Sequence, residues 1–239
     1  TWENIEPALT PQTTAIFLVH MYGNPVEIAL IRKNCEERGI TILEDVAQAH
    51  GAHLDGRPLG SFGKAATLSF HPSKNLGAFG DGGAILTSDV HLAEKLRVHR
   101  NLGKKDKYQF ENLGINSKLD TIQAAILSVK LKHLNRWNQR RKEIADKYSE
   151  GLQNIPELTL PSAAHNARHV FHLYVVRTAK RDKLKQFLAN ESIKTGMHYP
   201  IPVHQQPALA PHFQNESFPV AESIASSCLS LPCSHEHTD

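Results

Sequence analysis

The sequence predicts an α/β fold with a buried, largely parallel sheet and flanking helices. Short apolar runs of strand type alternate with helical patterns along the first part of the chain, an order typical of layered α/β domains. Glycine is concentrated between Gly51 and Gly83, where it permits tight turns and close approach of the backbone to a ligand. The composition agrees, because 239 residues with 40% hydrophobic and 21% charged side chains describe an ordinary globular protein.

Charge, hydropathy and cysteine content exclude several classes of protein. The formal net charge of +3 indicates neither a disordered chain nor a polyanionic partner. No apolar run approaches the roughly 20 residues that a membrane-spanning helix needs, so no membrane partner is expected. Three cysteines are too few and too scattered for a disulfide framework, and they favour a reducing, cytoplasmic setting.

The elements of the first part follow from the spacing of apolar residues. Strands are predicted over 15–20, 41–46, 65–70 and 83–88. A helix is predicted over 25–39, and its apolar stripe consists of Ile28, Ile31 and Cys35. A second helix is predicted over 89–100 with Asp89 as its N-cap.

A long helical pattern then predicts the domain boundary. It runs from Leu119 to about Leu152 without proline or glycine until Gly151, and such a helix often bridges two domains. Beyond it, the pattern predicts strands within 156–161 and over 172–177, followed by helices over 181–190 and near 221–229. We therefore divide the chain into a domain over 1–117, a connecting helix over 118–152, and a smaller α/β domain over 153–239.

Two clusters have alternative interpretations. The basic stretch from Lys130 to Lys142 is interpreted as the solvated face of an amphipathic helix, and the alternative is a contact with nucleic acid. The tail contains two cysteines and two histidines, but their spacing matches no familiar zinc pattern, so no metal is expected. These residues are Cys228, Cys233, His235 and His237.

Polar side chains follow two predicted strands. Asp45 ends one strand, with Gln48 three residues later, and Ser69 ends another, with Lys74 five residues later. Ligands of α/β sheets bind beyond the carboxyl ends of the strands. A lysine that has lost hydration there is a nucleophilic amine, although each residue taken alone is also compatible with an ordinary loop position. The patterns of hydrolases, dinucleotide-binding proteins and P-loop proteins are absent from the sequence.

The combination of motifs resembles the DegT/DnrJ/EryC1/StrS family of sugar aminotransferases, which depend on pyridoxal 5′-phosphate (PLP) and have fold type I. The resemblance covers nearly the whole chain, with the motifs in the family order. They are Glu44-Asp45-Val-Ala-Gln48-Ala-His50-Gly51, Gly60-Ser-Phe-Gly63, Ser69-Phe-His-Pro-Ser-Lys74-Asn-Leu-Gly77, Gly80-Asp-Gly-Gly83, His99-Arg100-Asn101, Gly114-Ile-Asn116-Ser-Lys118-Leu-Asp120, His198-Tyr199-Pro200 and Leu231-Pro232.

The resemblance implies roles for individual residues. Lys74 would form the Schiff base with PLP, and Asp45 would pair with the pyridine nitrogen. Gln48 would lie by the ring hydroxyl of the cofactor, and Ser69 would bind its phosphate. Asn116 resembles the asparagine that reaches the cofactor phosphate of the neighbouring subunit, which implies a homodimer with shared sites. The substrate side of the site would be lined by His198 and Tyr199.

The resemblance also implies the reaction. Because Lys74 is present, where dehydratase relatives have histidine, transamination is expected. The amino group would pass from an amino acid, usually glutamate in the family, to a keto-sugar linked to a nucleotide, in the biosynthesis of a polysaccharide or antibiotic sugar. The segment 116–120 is more similar to members that act at C3 of the sugar than at C4, and both positions stay open. Two alternatives are a catalytically idle, regulatory relative and a module that binds nucleic acid through the basic helix.

The sequence departs from the family pattern at both ends. The family has an earlier segment with a helix N-terminus that cradles the phosphate and an aromatic residue that stacks on the pyridine, and a later C-terminal helix. None of these is found here, so a truncated chain is expected. Because a helix N-terminus is a major source of phosphate affinity, we expect the 239 residues alone to bind PLP poorly or not at all.

Overall fold

The computed structural model describes residues 1–237 and divides the chain into two compact units. The first unit contains residues 1–138 and 163–170. The second contains residues 139–162 and the chain from Phe171 onward. No helix in the described range is both long and apolar enough to cross a bilayer.

A four-stranded sheet organises the first unit. Its strands, in spatial order, are β1 (Ala15–Val19), β2 (Thr41–Asp45), β5 (Ala65–Ser69) and β6 (Gly83–Leu86). The first three run parallel, whereas β6 is antiparallel to β5. All four strands lie within the predicted ranges. The antiparallel β6 makes the sheet mixed rather than entirely parallel.

Helix α2 (Ile28–Glu37) covers one face of this sheet. Its stripe of Ile28, Ile31 and Cys35 is buried as predicted, and it packs with inward-facing residues of the strands. Leu18, Ile42 and Ala66 are among those residues. The apolar side chains spaced at the helical period and those spaced at the strand period thus pack together in one core.

Smaller elements complete the unit. Helix α1 (Trp2–Ile5) places Trp2 in the same core. A short antiparallel sheet contains β3 (His53–Leu54), β4 (Arg57–Pro58) and β7 (Ala167–Arg168), with β3 in the centre. Helix α3 (Val90–His99) begins where predicted, because the Asp89 side chain accepts a hydrogen bond from the Leu92 amide at 3.0 Å.

The long helical pattern forms two helices, so the prediction of one continuous helix is wrong. They are α4 (Thr121–Leu131) and α5 (Leu134–Leu152). At the break, the backbone N–H of His133 bonds the carbonyl of Lys130, three residues back, at 2.9 Å. This tightened turn ends α4 without proline or glycine, so residue preference gave no sign of it.

The second unit contains the greater part of α5, two helices and a two-stranded sheet. Helices α6 (Arg181–Asn190) and α7 (Pro219–Ser227) accompany the antiparallel pair β8 (Tyr174–Arg177) and β9 (Cys228–Leu231). The core includes Ala145, Tyr174, Val176 and Leu229. The strand expected within 156–161 reduces to a single bridge between Thr159 and Arg177.

Several side chains of the basic stretch are engaged within the protein. The Lys130 ammonium donates to the carbonyl of Gly77. Arg141 is buried and donates to the carbonyls of Phe171, His172 and Cys233. The Lys142 ammonium pairs with Asp146 one turn along α5. These contacts favour a structural role for the stretch over a surface for nucleic acid.

Candidate active site

The carboxyl ends of three parallel strands define one edge of the sheet in the first unit. Strand β2 ends at Asp45 and β5 ends at Ser69, and Asp45 is paired with Thr67 in the register of the two strands. Because β6 returns antiparallel, the loop over 70–82 begins and ends at this same edge. The topology therefore brings Lys74, which lies in that loop, to the edge where Asp45 and Ser69 lie.

Lys74 has the environment of a reactive amine. It is half-buried, and its backbone amide donates to the carbonyl of His71 at 2.9 Å. Burial lowers the pKa of the Lys74 ammonium below the ordinary lysine value, and the charge of the Asp45 carboxylate opposes part of this effect. A lowered pKa increases the fraction of neutral amine, which is the nucleophilic form.

The loop over 70–82 is fastened to helix α4. The backbone N–H of Phe79 donates to Oε1 of Gln123 at 2.9 Å, in addition to the contact of Lys130 with Gly77. At Gly77 an added Cβ would clash with the carbonyl oxygen of Pro72, so the loop folds back too tightly for any side chain there. The segment that carries Lys74 is therefore held in place rather than free.

Asp45 and Gln48 belong to the turn that follows β2. The Asp45 carboxylate accepts a hydrogen bond from the backbone N–H of Ala47 at 2.8 Å, which fixes its orientation. Gln48 is buried, and its Oε1 accepts from the backbone N–H of Tyr22 at 2.7 Å. Tyr22 follows β1 and has a φ of 60°, so the first loop of this edge bends sharply towards Gln48.

Ser69 is the last residue of β5. Its side-chain oxygen accepts a hydrogen bond from the backbone N–H of His71 at 3.3 Å, and the residue is half-buried. A hydroxyl held beside a backbone amide at a strand end can contact an anionic group.

His50 also belongs to this region, although the sequence predicts no role for it. Its ring is buried and stacks on Phe70 with the centroids 6.0 Å apart. Burial first, and the positive charge of Lys74 second, lower the pKa of His50 to about 4, with a smaller opposing effect of the Ser69 backbone. The imidazole is therefore neutral near neutral pH. Only its place two residues after Gln48 could have indicated that it lies near Lys74.

Asn116, His198 and Tyr199 belong to other segments of the chain. Asn116 is exposed and forms a β-bridge with Asn101. His198 and Tyr199 belong to the second unit, where Nδ1 of His198 lies 2.8 Å from the hydroxyl of Ser230 and the two rings meet edge to face at 5.5 Å. The structure thus brings Asp45, Gln48, Ser69 and Lys74 to one edge of one unit. Within residues 1–237, no group of three or more His, Cys, Asp or Glu side chains could hold a metal ion.

Comparisons with known proteins identify the family. The model of the DegT/DnrJ/EryC1/StrS aminotransferase family matches residues 1–239. The dTDP-3-amino-3,4,6-trideoxy-alpha-D-glucose transaminase of Streptomyces venezuelae is 47% identical over 229 residues, which cover 95% of this chain and 60% of that protein. This chain therefore spans about three fifths of the length of that relative.

Solved structures agree with this match. The structure of S. venezuelae DesV in complex with a ketimine intermediate matches with a TM-score of 0.94 and 46% identity, over 97% of this chain and 63% of that one. The structure of ntda from Bacillus subtilis with bound cofactor PMP matches with a TM-score of 0.86 and 32% identity, over 97% and 54% of the two chains. These matches confirm the predicted fold class, a partial fold type I aminotransferase. The chain belongs to the DegT/DnrJ/EryC1/StrS aminotransferase family.

Proposed function

We propose that the protein to which this chain belongs is a PLP-dependent aminotransferase that moves an amino group from an amino acid, glutamate in our proposal, to a keto-sugar linked to a nucleotide. The observation that carries the proposal is the half-buried Lys74 amine beside the Asp45 carboxylate at the carboxyl edge of the sheet. The family match and the sugar transaminase of S. venezuelae support the reaction class. The three buried free thiols support a reducing, cytoplasmic setting.

The side chains at the sheet edge fit PLP by their chemistry. An amine with a lowered pKa suits an aldehyde, and a neighbouring carboxylate suits a protonated ring nitrogen. We assign Lys74 to the aldehyde, Asp45 to the ring nitrogen, Gln48 to the ring hydroxyl and Ser69 to the phosphate. When bound, PLP supplies an aldehyde that captures amines and a ring that accepts electrons from the adjacent carbon.

The residues of this chain would contribute proton transfer and electrostatic stabilisation. As a free amine, Nζ of Lys74 would act as a base that accepts a proton from the substrate carbon, and the resulting ammonium would act as the acid that gives up that proton. Its lowered pKa suits this task, because a base works best when its pKa is near the operating pH. The Asp45 carboxylate would stabilise a positive charge at the ring nitrogen, and the Ala47 amide keeps that carboxylate oriented.

We propose a homodimer with shared sites, in which Asn116 reaches the cofactor phosphate of the partner subunit. Support comes from the segment 108–116, which leaves four large apolar side chains exposed, with Leu113 97% exposed. They are Tyr108, Phe110, Leu113 and Ile115. Exposed apolar patches of this kind mark interaction surfaces.

The remaining assignments concern the domains and the substrate. We propose that residues 1–117 form part of the PLP-binding domain, 118–152 connect it to the small domain, and 153–239 belong to that small domain. Within the last segment, His198 and Tyr199 would line the substrate side. The exposure of Tyr199, at 51%, supports a contact of this residue with a ligand.

The proposed reaction is tested by amino transfer in a version of the protein that spans the full length of its relatives. Dialysed protein is mixed with PLP, glutamate and a dTDP- or UDP-linked 3-keto-sugar, and the amino-sugar product is detected by mass spectrometry. Formation of 2-oxoglutarate and amino-sugar in equal amounts is expected, and Lys74→Ala should abolish both. Bound PLP without amino transfer to any keto-sugar would instead favour a catalytically idle, regulatory relative.

A further inference from the structure

We propose that Asn138 is a positioning residue of the candidate active site, because its side-chain amide joins the segment that carries Asp45 and Gln48 to the loop that carries Lys74. The inference rests on the proposed function only in that a bound cofactor would make use of the distance between these two segments. The effect of that distance on Lys74 is a property of this chain and is measurable without cofactor.

The amide of Asn138 lies between the two segments and contacts both. Its Nδ2 donates to the backbone carbonyl of His50 at 2.8 Å. Its Oδ1 accepts from Nδ2 of Asn75, the residue after Lys74, also at 2.8 Å. Nδ2 of Asn75 also donates to the carbonyl of Val170 at 3.2 Å. All four residues belong to the first unit.

The bridge is buried and closely packed. The exposed fractions of Asn138 and Asn75 are 2% and 3%. An added Cβ at Gly51, whose φ is 78°, would lie 2.9 Å from Nδ2 of Asn138. The amide therefore packs tightly against the His50–Gly51 turn. If the amide is removed, the buried groups that bond to it are left without that hydrogen bond.

The position of Asn138 on α5 explains how a helix outside the sheet reaches both segments. Leu134, one turn earlier on α5, is packed with Leu76 and Ala78 of the loop over 70–82. This apolar contact brings the first turns of α5 against the loop, and Asn138 comes next on the same face. The apolar contact holds the loop in place, and the amide sets its distance from the His50 segment.

This distance bears directly on Lys74. Burial lowers the pKa of its ammonium and the Asp45 charge opposes part of that change, and both effects depend on how closely the two segments approach. Asn138→Leu removes the amide, leaves the His50 carbonyl and the Asn75 amide without it, and allows water to reach Lys74. The pKa of Lys74 should then rise towards the ordinary lysine value.

The experiment measures the pH dependence of acylation of Lys74 by acetic anhydride in the chain without PLP, read by peptide mass spectrometry. Leu127→Ala is the matched control, because it weakens the same apolar cluster without touching the amides. Asn138→Leu should raise the midpoint by at least about half a pH unit, a threefold change in the protonated-to-neutral ratio. Leu127→Ala should lose about as much thermal stability as Asn138→Leu but leave the midpoint unchanged.

An unchanged midpoint in a folded Asn138→Leu protein would overturn the proposal, as would an equal rise in Leu127→Ala. If Asn138→Leu does not fold, Asn138→Ser decides by the same criterion, because its hydroxyl is too short to reach both partners. Because the experiment contains no cofactor, its result does not depend on whether the chain binds PLP. Conversely, an unchanged midpoint in Asn138→Leu would not argue against Lys74 as the residue that binds PLP.

Discussion

Glu44 and Asp45 are consecutive carboxylates of β2 that serve different regions of the molecule. Glu44 is fully buried, and it accepts hydrogen bonds from the backbone amides of Gly60, Phe62 and Gly63 at 2.7–2.8 Å. Asp45 is half-buried and acts on Lys74 through its charge. Because successive side chains of a strand point to opposite faces, one acid stabilises the fold and the next faces the candidate site.

Loss of Glu44 should destabilise the first unit strongly. His20 is the fourth partner of Glu44: its Nδ1 accepts from the Val26 amide, so its Nε2 carries the hydrogen that points to Glu44 at 3.2 Å. Glu44→Ala leaves these buried donors unsatisfied and should lower the free energy of unfolding by about 3–5 kcal/mol. Urea denaturation measures it, with exposed Glu37→Ala as control. A loss no larger than that of the control would contradict this role.

Acid should weaken the fold well before the carboxylates are protonated. The pKa of His50 is lowered to about 4 by burial and by Lys74, and burial alone lowers that of His169 to about 4. These groups bind protons more readily in the unfolded chain, whose histidines titrate near about 6.5, so stability falls as pH falls from 6.5 to 4. Each contributes up to about 1.4 kcal/mol per pH unit.

Substitution of one histidine tests this assignment. His50→Gln should reduce the slope of the unfolding free energy against pH between 6.5 and 4 by one proton's contribution, measured by urea denaturation at stepped pH. His91→Gln, at an exposed position of α3, should leave the slope unchanged. Equal slopes in the His50 variant and the unmodified chain would show that His50 does not titrate as described.

Asp45→Asn should lower the pKa of Lys74 further. The carboxylate is the charge that raises this pKa against burial, so its removal leaves burial unopposed. The midpoint of Lys74 acylation should move to lower pH, and Asp89→Asn, which changes the N-cap carboxylate of α3, should not move it. In the PLP-loaded protein, turnover should fall about 100-fold or more, equivalent to roughly 2.7 kcal/mol. A midpoint that rises or stays constant would show that the charge of Asp45 does not raise the pKa of Lys74.

The exposed segment 108–116 should carry the proposed dimer contact. Leu113→Asp places a charge on the most exposed apolar side chain of that segment and should shift the protein from dimer to monomer in light scattering. Val220→Asp changes an equally apolar, 71% exposed position on α7 and should leave the mass unchanged. A dimer that survives Leu113→Asp would place the contact elsewhere.

The sequence was sufficient where local pattern and tertiary structure agree. The apolar spacing predicted the buried stripe of Ile28, Ile31 and Cys35 and the four strands of the large sheet, because each pattern repeats with the period at which one face is buried. Residue preference at helix ends predicted the cap at Asp89. The motifs that carry Asp45, Gln48, Ser69 and Lys74 were recognisable because their combination and their order along the chain resemble the family.

The sequence was insufficient where long-range contacts decide the structure. The break between α4 and α5 depends on one backbone bond at His133 rather than on a helix-breaking residue. Strand β6 pairs antiparallel with β5 because the loop over 70–82 begins and ends at the same edge of the sheet, and the apolar run at 83–88 does not indicate this direction. Asn75 and Asn138 are 63 positions apart, and no local spacing indicates that their amides meet.

Borohydride trapping tests whether Lys74 is the amine that binds PLP. A version of the protein that spans the full length of its relatives is mixed with PLP, reduced, digested and mapped for pyridoxyl-lysine, with exposed Lys105 as the internal reference. Selectivity is the decisive quantity, because trapping also captures weakly bound cofactor. We expect the adduct to lie predominantly on Lys74, and we expect Lys74→Arg to remove it without labelling another residue. An adduct spread over exposed lysines, or equal labelling of Lys74 and Lys105, would contradict it.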